Sequence, residues 1–157
     1  MTGKAKLLFL CLLFLSQVVA AADDYRITHV VSGKFEDVRD SVVDAIAMQG
    51  LVINNVSHMS EMLDRTGQDL GDTTQIFRRA EILEFCSAAV SRASMKADPH
   101  SIVFCPYGIA VYELPAEPGK IYVSYRKPVA TGKQQDKKSV RTLEKLMHDI
   151  VQDAIQK

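Results

Sequence analysis

The stretch Glu81–Tyr125 reads EILEFCSAAVSRASMKADPHSIVFCPYGIAVYELPAEPGKIYVSY, and the fold is decided there. Ile82, Leu83 and Phe85 lie in an extended run that ends at Cys86. Ser87 can cap a helix over Ala88–Ala97, which Asp98-Pro99 stops. Ser101–Cys105 reads as extended, and Pro106-Tyr107-Gly108 bends the chain, because proline cannot donate a ladder hydrogen bond and glycine tolerates unusual dihedrals. Ile109–Leu114 and Lys120–Arg126 alternate in the two-residue period of strands, and Pro115-Ala116-Glu117-Pro118-Gly119 joins them as a hairpin loop.

Upstream, Tyr25–Val31 carries β-branched Ile27, Val30 and Val31 and is predicted to form a first strand. Ser32 and Gly33 can start a helix with Glu36 and Asp37 in its first turn, where carboxylates favour the positive end of the dipole. Phe35, Val38, Val42, Ala45 and Ile46 recur at helical spacing, and Gly50 stands where a left-handed C-terminal cap is expected. Leu51–Val56 is predicted as a second strand, Ser60–Thr66 as a short helix ending near Gly67, and Gly67–Thr74 as a surface loop. Downstream, Ala130–Lys138 is a polar connector. A last helix over Ser139–Ile155 carries Val140, Leu143, Met147, Ile150 and Ala154 on one face. The element order gives an α+β, two-layer sandwich, a mainly antiparallel sheet with helices packed on one face.

Residues 1–22 read as a secretory signal peptide. Lys4 and Lys6 form the positive region and Leu7–Leu15 the apolar core; Ala20-Ala21-Ala22 supplies the small residues that signal peptidase requires. The apolar run falls short of the roughly 20 residues that span a bilayer. Cys11 lies mid-core after Leu10, which does not fit a lipoprotein site. The mature chain, 23–157, is one domain's length, periplasmic or secreted, and without a stable membrane anchor once cleaved near Ala22. Removing Lys4 and Lys6 from 19 basic and 19 acidic residues leaves a net charge of −2, and the basic residues do not pool, so no nucleic-acid face is expected.

Two cysteines then remain, Cys86 and Cys105. An even pair in an exported protein defaults to a disulfide, which for a loop of this length contributes about 3 kcal/mol. Two unpaired buried thiols, or a functional sulfur, are the alternatives. Cys86 lies at the mouth of a helix, where a thiolate is favoured, so a thiol-dependent redox protein centred on Cys86 is one reading. There is no C-x-x-C and no C-x-x-C-H. His58, Met59 and Met62 form a second candidate set, because imidazole and thioether ligands suit copper and the two methionines share a helical face. Core packing is the plainer role of such methionines. No cofactor is required by the sequence.

Glu84 is a carboxylate in the most apolar part of its strand and would form a pair with Glu113 if their strands were neighbours; paired arginines, Arg79 or Arg126, are the plainer role. Tyr107, Tyr112, Tyr122 and Tyr125 either line an apolar groove or stack across strands. His29 and His100 stand alone as surface or satisfied histidines. No zinc-protease, serine-hydrolase, P-loop or dinucleotide fingerprint is present.

At Ile82-Leu83-Glu84-Phe85-Cys86 and Phe104-Cys105-Pro106-Tyr107-Gly108-Ile109-Ala110-Val111-Tyr112-Glu113, the chain resembles the domain-of-unknown-function 302 family. The intervening helix with Asp98-Pro99 and the Phe35–Gly50 helix leading into Leu51-Val52-Ile53 belong to the same resemblance, which runs from Tyr25 to Pro128. It implies a compact α+β fold of bacterial origin, often exported and able to dimerise. It brings no assigned activity, and it points to Cys86, Cys105 and Pro106. The expectation is a periplasmic, non-enzymatic module that binds a small molecule or a protein partner, with Cys86, Cys105, Pro106, Tyr107 and Glu84 as binding residues. Copper handling or thiol chemistry are the alternatives.

Overall fold

The structure, a computed structural model, describes residues 25–129 and 134–156. The expected signal peptide lies outside the described residues. The elements are β1 (Arg26–Ser32), α1 (Phe35–Met48), β2 (Ile53–His58), α2 (Met59–Leu70), β3 (Arg79–Phe85), α3 (Ala88–Ala97), a 3₁₀ helix (Pro99–Phe104), β4 (Tyr107–Glu113), β5 (Lys120–Arg126) and α4 (Gln134–Ile155). The strands form one five-stranded antiparallel sheet in the order β1-β5-β4-β3-β2, which is the expected α+β class.

The three central strands carry the core. Leu83 and Phe85 of β3, Ile109 and Val111 of β4, and Ile121 and Val123 of β5 are buried on one face. Val42, Ala45 and Ile46 of α1 and Met147, Ile150 and Val151 of α4 close over them. The period-two pattern of the strands and the three-four pattern of the helices thus meet in a single apolar layer. α1 starts without a side-chain cap, at Phe35 after Lys34, with Glu36 and Asp37 in its first turn. It ends where expected: Gly50 has φ +70°, and Gly50 N–H and Leu51 N–H bond back to the Ala47 and Ile46 carbonyls.

Three sequence expectations are corrected. The short helix at Ser60–Thr66 is α2, which runs on to Leu70 and ends at Gly71 in the left-handed conformation. Gly67 therefore lies inside the helix, where a Cβ would collide with the Asp72 carbonyl as the chain curls back. α2 gives no residue to the main core. The extended run at Ser101–Cys105 is instead the 3₁₀ helix. Asp98 accepts a hydrogen bond from His100 N–H at 3.0 Å and Pro99 occupies the first turn, two helix-start signals that outweigh the β-branched Ile102 and Val103. With no strand beside them, Ile102 and Val103 stand 62% and 73% exposed. Finally, α4 begins at Gln134, inside the stretch read as a polar connector.

The hairpin between β4 and β5 is pinned by Glu113. Its carboxylate is buried, accepts from Gly119 N–H at 2.8 Å and faces Arg78 at 3.6 Å.

Candidate functional site

The ladder pairs Phe85 with Tyr107, the last residue of β3 with the first of β4. Cys86 directly follows β3, and Cys105 closes the 3₁₀ helix two residues before β4; their side chains come within hydrogen-bond reach of each other, next to the cis Cys105–Pro106 peptide. Both are free thiols, half-buried. α3 starts at the same spot. Ser87 caps it by accepting from Val90 N–H at 3.4 Å, and Ser91, one turn on, presents its hydroxyl to the pair. Ser91 Oγ lies 3.2 Å from Cys105 Sγ and 3.0 Å from Tyr107 Oη. A continuous chain of exchangeable groups thus runs from Tyr107 through Ser91 to Cys105 and Cys86.

Electrostatics at the cluster favour neutral groups. Burial pushes the Cys86 thiol up, and the neighbouring Cys105 adds to the rise; the Tyr107 backbone N–H opposes it. The activation expected from the mouth of α3 does not prevail, because burial and the neighbouring sulfur outweigh it. Burial likewise pushes the Tyr107 phenol up to about 12, against the opposing Ser91 hydrogen bond.

A cavity of about 200 Å³ opens on the other side of the bend. Phe104, Pro106, Tyr107, Leu143 and Met147 give it apolar walls, and its charged residues are Arg126 and Lys127. A larger groove of about 470 Å³ between α3 and α4 is lined by Ala89, Ala93 and Ala97 and has none of the groups that meet at the bend.

Of the residues singled out in the sequence, Cys86, Cys105, Pro106 and Tyr107 come together here. Glu84 does not: it stands opposite Gly108 and accepts from the Ser57 hydroxyl at 2.9 Å. Nor do Glu84 and Glu113 form a carboxylate pair, since β4 sets Glu113 opposite Arg79, five ladder positions away. His58 Nδ1 faces Glu81 at 3.4 Å, and Glu81 also meets Arg39 of α1. Met59 lines a groove over Ala80, Ile82 and Ala110, whereas the Met62 thioether contacts Thr66 within α2. Among the described residues no three His, Cys, Asp or Glu side chains gather as a metal site. Tyr112 and Tyr122 stack across β4 and β5 with centroids 5.0 Å apart, while Tyr107 and Tyr125 are buried. His29, expected as a surface or satisfied residue, has its Nε2 buried without a hydrogen-bond partner among the described residues.

Sequence reasoning missed Ser91, Arg126, Lys127, Leu143 and Met147. For Ser91 a signal existed: it lies one helical turn beyond the capping Ser87.

The family model described as "Domain of unknown function DUF302" matches residues 27–156. No curated protein matches the chain. The crystal structure of the uncharacterized conserved protein DUF302 from Bacillus stearothermophilus is similar, with a TM-score of 0.69 at 17% identity, covering 83% of this chain and 98% of that one. That likeness is one of fold, and it agrees with the five-stranded sheet and its helices. On the match over 27–156, this chain belongs to the DUF302 family.

Proposed function

We propose that the chain is an exported, non-enzymatic module that binds a small organic anion in the cavity beside the Cys105–Pro106–Tyr107 bend. The observation that carries this reading is the lining itself: apolar walls from four separate segments, and charged residues that are both cationic. A cavity near 150 Å³ accommodates a benzene ring, so about 200 Å³ suits a single ring or short chain bearing one negative group. Tyr107 keeps its proton at neutral pH and so adds no opposing charge. Export is supported by the leader pattern of Lys4, Lys6, Leu7–Leu15 and Ala20–Ala22.

The test uses benzoate, benzyl alcohol and benzylammonium as probes, followed by chemical shifts of Tyr107, Leu143 and Met147 in the mature chain. Benzoate is expected to bind saturably, benzyl alcohol at least tenfold more weakly, and benzylammonium not at all. Arg126→Glu, at an exposed strand end, should reduce benzoate affinity about tenfold, equivalent to about 1.4 kcal/mol. Equal binding of all three probes, or benzoate binding unchanged in Arg126→Glu, refutes the proposal.

A protein partner, a second copy of the chain included, is the other reading. Exposed Ile102 and Val103 support it, standing next in the chain to Phe104, which lines the cavity. Sedimentation velocity over a concentration series tests self-association, and Val103→Asp should abolish it.

A further inference from the structure

Neither cysteine lines the cavity, so the sulfur pair calls for a separate account. We propose that in its reduced form the Cys86–Cys105 pair is a two-coordinate site for a soft monovalent cation of the Cu(I) or Ag(I) kind.

Three features of the site support this assignment. First, the end of β3 and the end of the 3₁₀ helix that leads into β4 hold both sulfurs in one place, within hydrogen-bond reach of each other, so little ordering is needed on binding. Second, each sulfur has a hydrogen-bond donor at hand. Tyr107 N–H reaches Cys86, and the Ser91 hydroxyl lies 3.2 Å from Cys105 with Tyr107 Oη 3.0 Å behind it. Donors of this kind hold thiolate ligands in place and spread their charge. Third, the donor set stops at two: among the described residues no third His, Cys, Asp or Glu joins them. Zinc takes four protein ligands in a structural site, so two thiolates do not satisfy it. Soft d¹⁰ monovalent ions prefer thiolate sulfur, and two such ligands suffice for them.

The binding step is balanced without an oxidant. Two S–H bonds break, two metal–sulfur bonds form, and both protons go to solvent; the product is a bis-thiolate complex of charge −1. In that state Ser91 donates to the Cys105 sulfur and Tyr107 Oη donates to Ser91, so the hydroxyl chain is oriented toward the charge. Oxidation of the pair to a disulfide removes two electrons and both ligands together, so metal uptake and the bridge exclude each other.

The experiment takes the mature chain with two free thiols confirmed by titration, under anaerobic conditions. It is titrated with Cu(I) against a chromophoric Cu(I) chelator, and with Ag(I) under native mass spectrometry. One metal per chain is expected, with a sulfur-to-metal charge-transfer band in the near ultraviolet. Cys86→Ser and Cys105→Ser should each weaken uptake at least 100-fold. Ser91→Ala, which keeps both sulfurs, should weaken it about tenfold while leaving thiol counts at two. Protein oxidised to the disulfide should take up none. Several results overturn the proposal: no stoichiometric uptake by the dithiol form, uptake unchanged in both cysteine variants, or one metal held between two chains. Uptake that survives loss of both cysteines but fails in Met59→Leu/Met62→Leu would move the metal to α2. Benzoate binding is read separately on the same samples, so failure of the cavity reading leaves this one standing, and the reverse.

Discussion

Tyr107 makes the cluster testable by stability alone. Its side chain is buried, its ring packs edge-on against Phe85 with centroids 6.1 Å apart, and burial holds its phenol near 12 rather than the ordinary 10. The folded value is raised, so between pH 10 and 12 the unfolded chain has released this proton while the folded chain still holds it. The unfolded state then binds fewer protons, and stability must fall as pH rises through this window. The two-unit difference corresponds to a total loss of about 3 kcal/mol, of which about half has accrued by pH 11. In Tyr107→Phe the titrating group is gone. That variant loses the hydroxyl's bond to Ser91, about 1 kcal/mol at neutral pH, because Ser91 keeps Cys105 as a partner. Every other ionisation is common to the two proteins, so the readout is the difference between them. Urea unfolding of both, in reductant, is measured from pH 7 to 11.5. The wild type should lead by about 1 kcal/mol at pH 7, and the lead should vanish near pH 11 and then reverse. A lead that stays constant across the range would show that the phenol is not held neutral by burial, and the picture of a cluster favouring uncharged groups would fall with it.

Other perturbations separate the contributions to the fold. Phe85→Ala empties a fully buried site between the sheet and the helical layer and should cost about 3–5 kcal/mol by denaturant titration, a large share of a small domain's stability. Ser87→Ala leaves Val90 N–H without its cap and should cost about 1 kcal/mol, measured as a lowered urea midpoint at constant slope. Glu113→Ala strands the Gly119 amide in the hairpin and should cost about 1–3 kcal/mol, whereas Glu113→Gln, which keeps an acceptor, should lose less. Gly119→Ala forces a side chain into φ +81° at about 1–2 kcal/mol. Gly33→Ala, whose new Cβ meets Val38 at an ordinary 3.7 Å, should be neutral within about 0.5 kcal/mol, and thermal unfolding of the two side by side checks the contrast.

How far the sequence could be read depended on how many separate segments a feature needs. Helix α1 was legible because its apolar positions, its acidic first turn and Gly50 all lie within sixteen residues and agree. The hairpin was legible for the same reason: two alternating runs flank a loop rich in proline and glycine. The 3₁₀ helix at Pro99–Phe104 was misread because Ile102, Val103 and Phe104 have strand propensity, and that propensity expresses itself only when a neighbouring strand is available to pair with. Here β3 is already paired with β2 and β4, and β4 with β5, so the run finds no partner and the capping chemistry of Asp98 and Pro99 prevails. The placement of Glu84 was recoverable in part. Strand alternation alone puts it on the face opposite Leu83 and Phe85, and there it finds Ser57.

The functional elements divide along the same line. The sulfur pair needs two segments, the end of β3 and the entry into β4, and the pairing of these two strands brings those ends together. The cavity needs more: Tyr25 before β1, Phe104 with Pro106, Tyr107 and Gly108, Arg126 at the end of β5 with Lys127 and Pro128, and Leu143 and Met147 from α4. Each of these reads locally as an ordinary strand end or helix face, and Leu143 and Met147 are indistinguishable in sequence from the core positions beside them. What turns them into walls is that Leu143 and Met147 of α4 come to lie beside Pro106, Tyr107 and Arg126, which the chain order alone does not reveal. A site formed where two paired strands meet can be anticipated from their order in the chain; a site formed where a helix meets strand ends is set only by the packing.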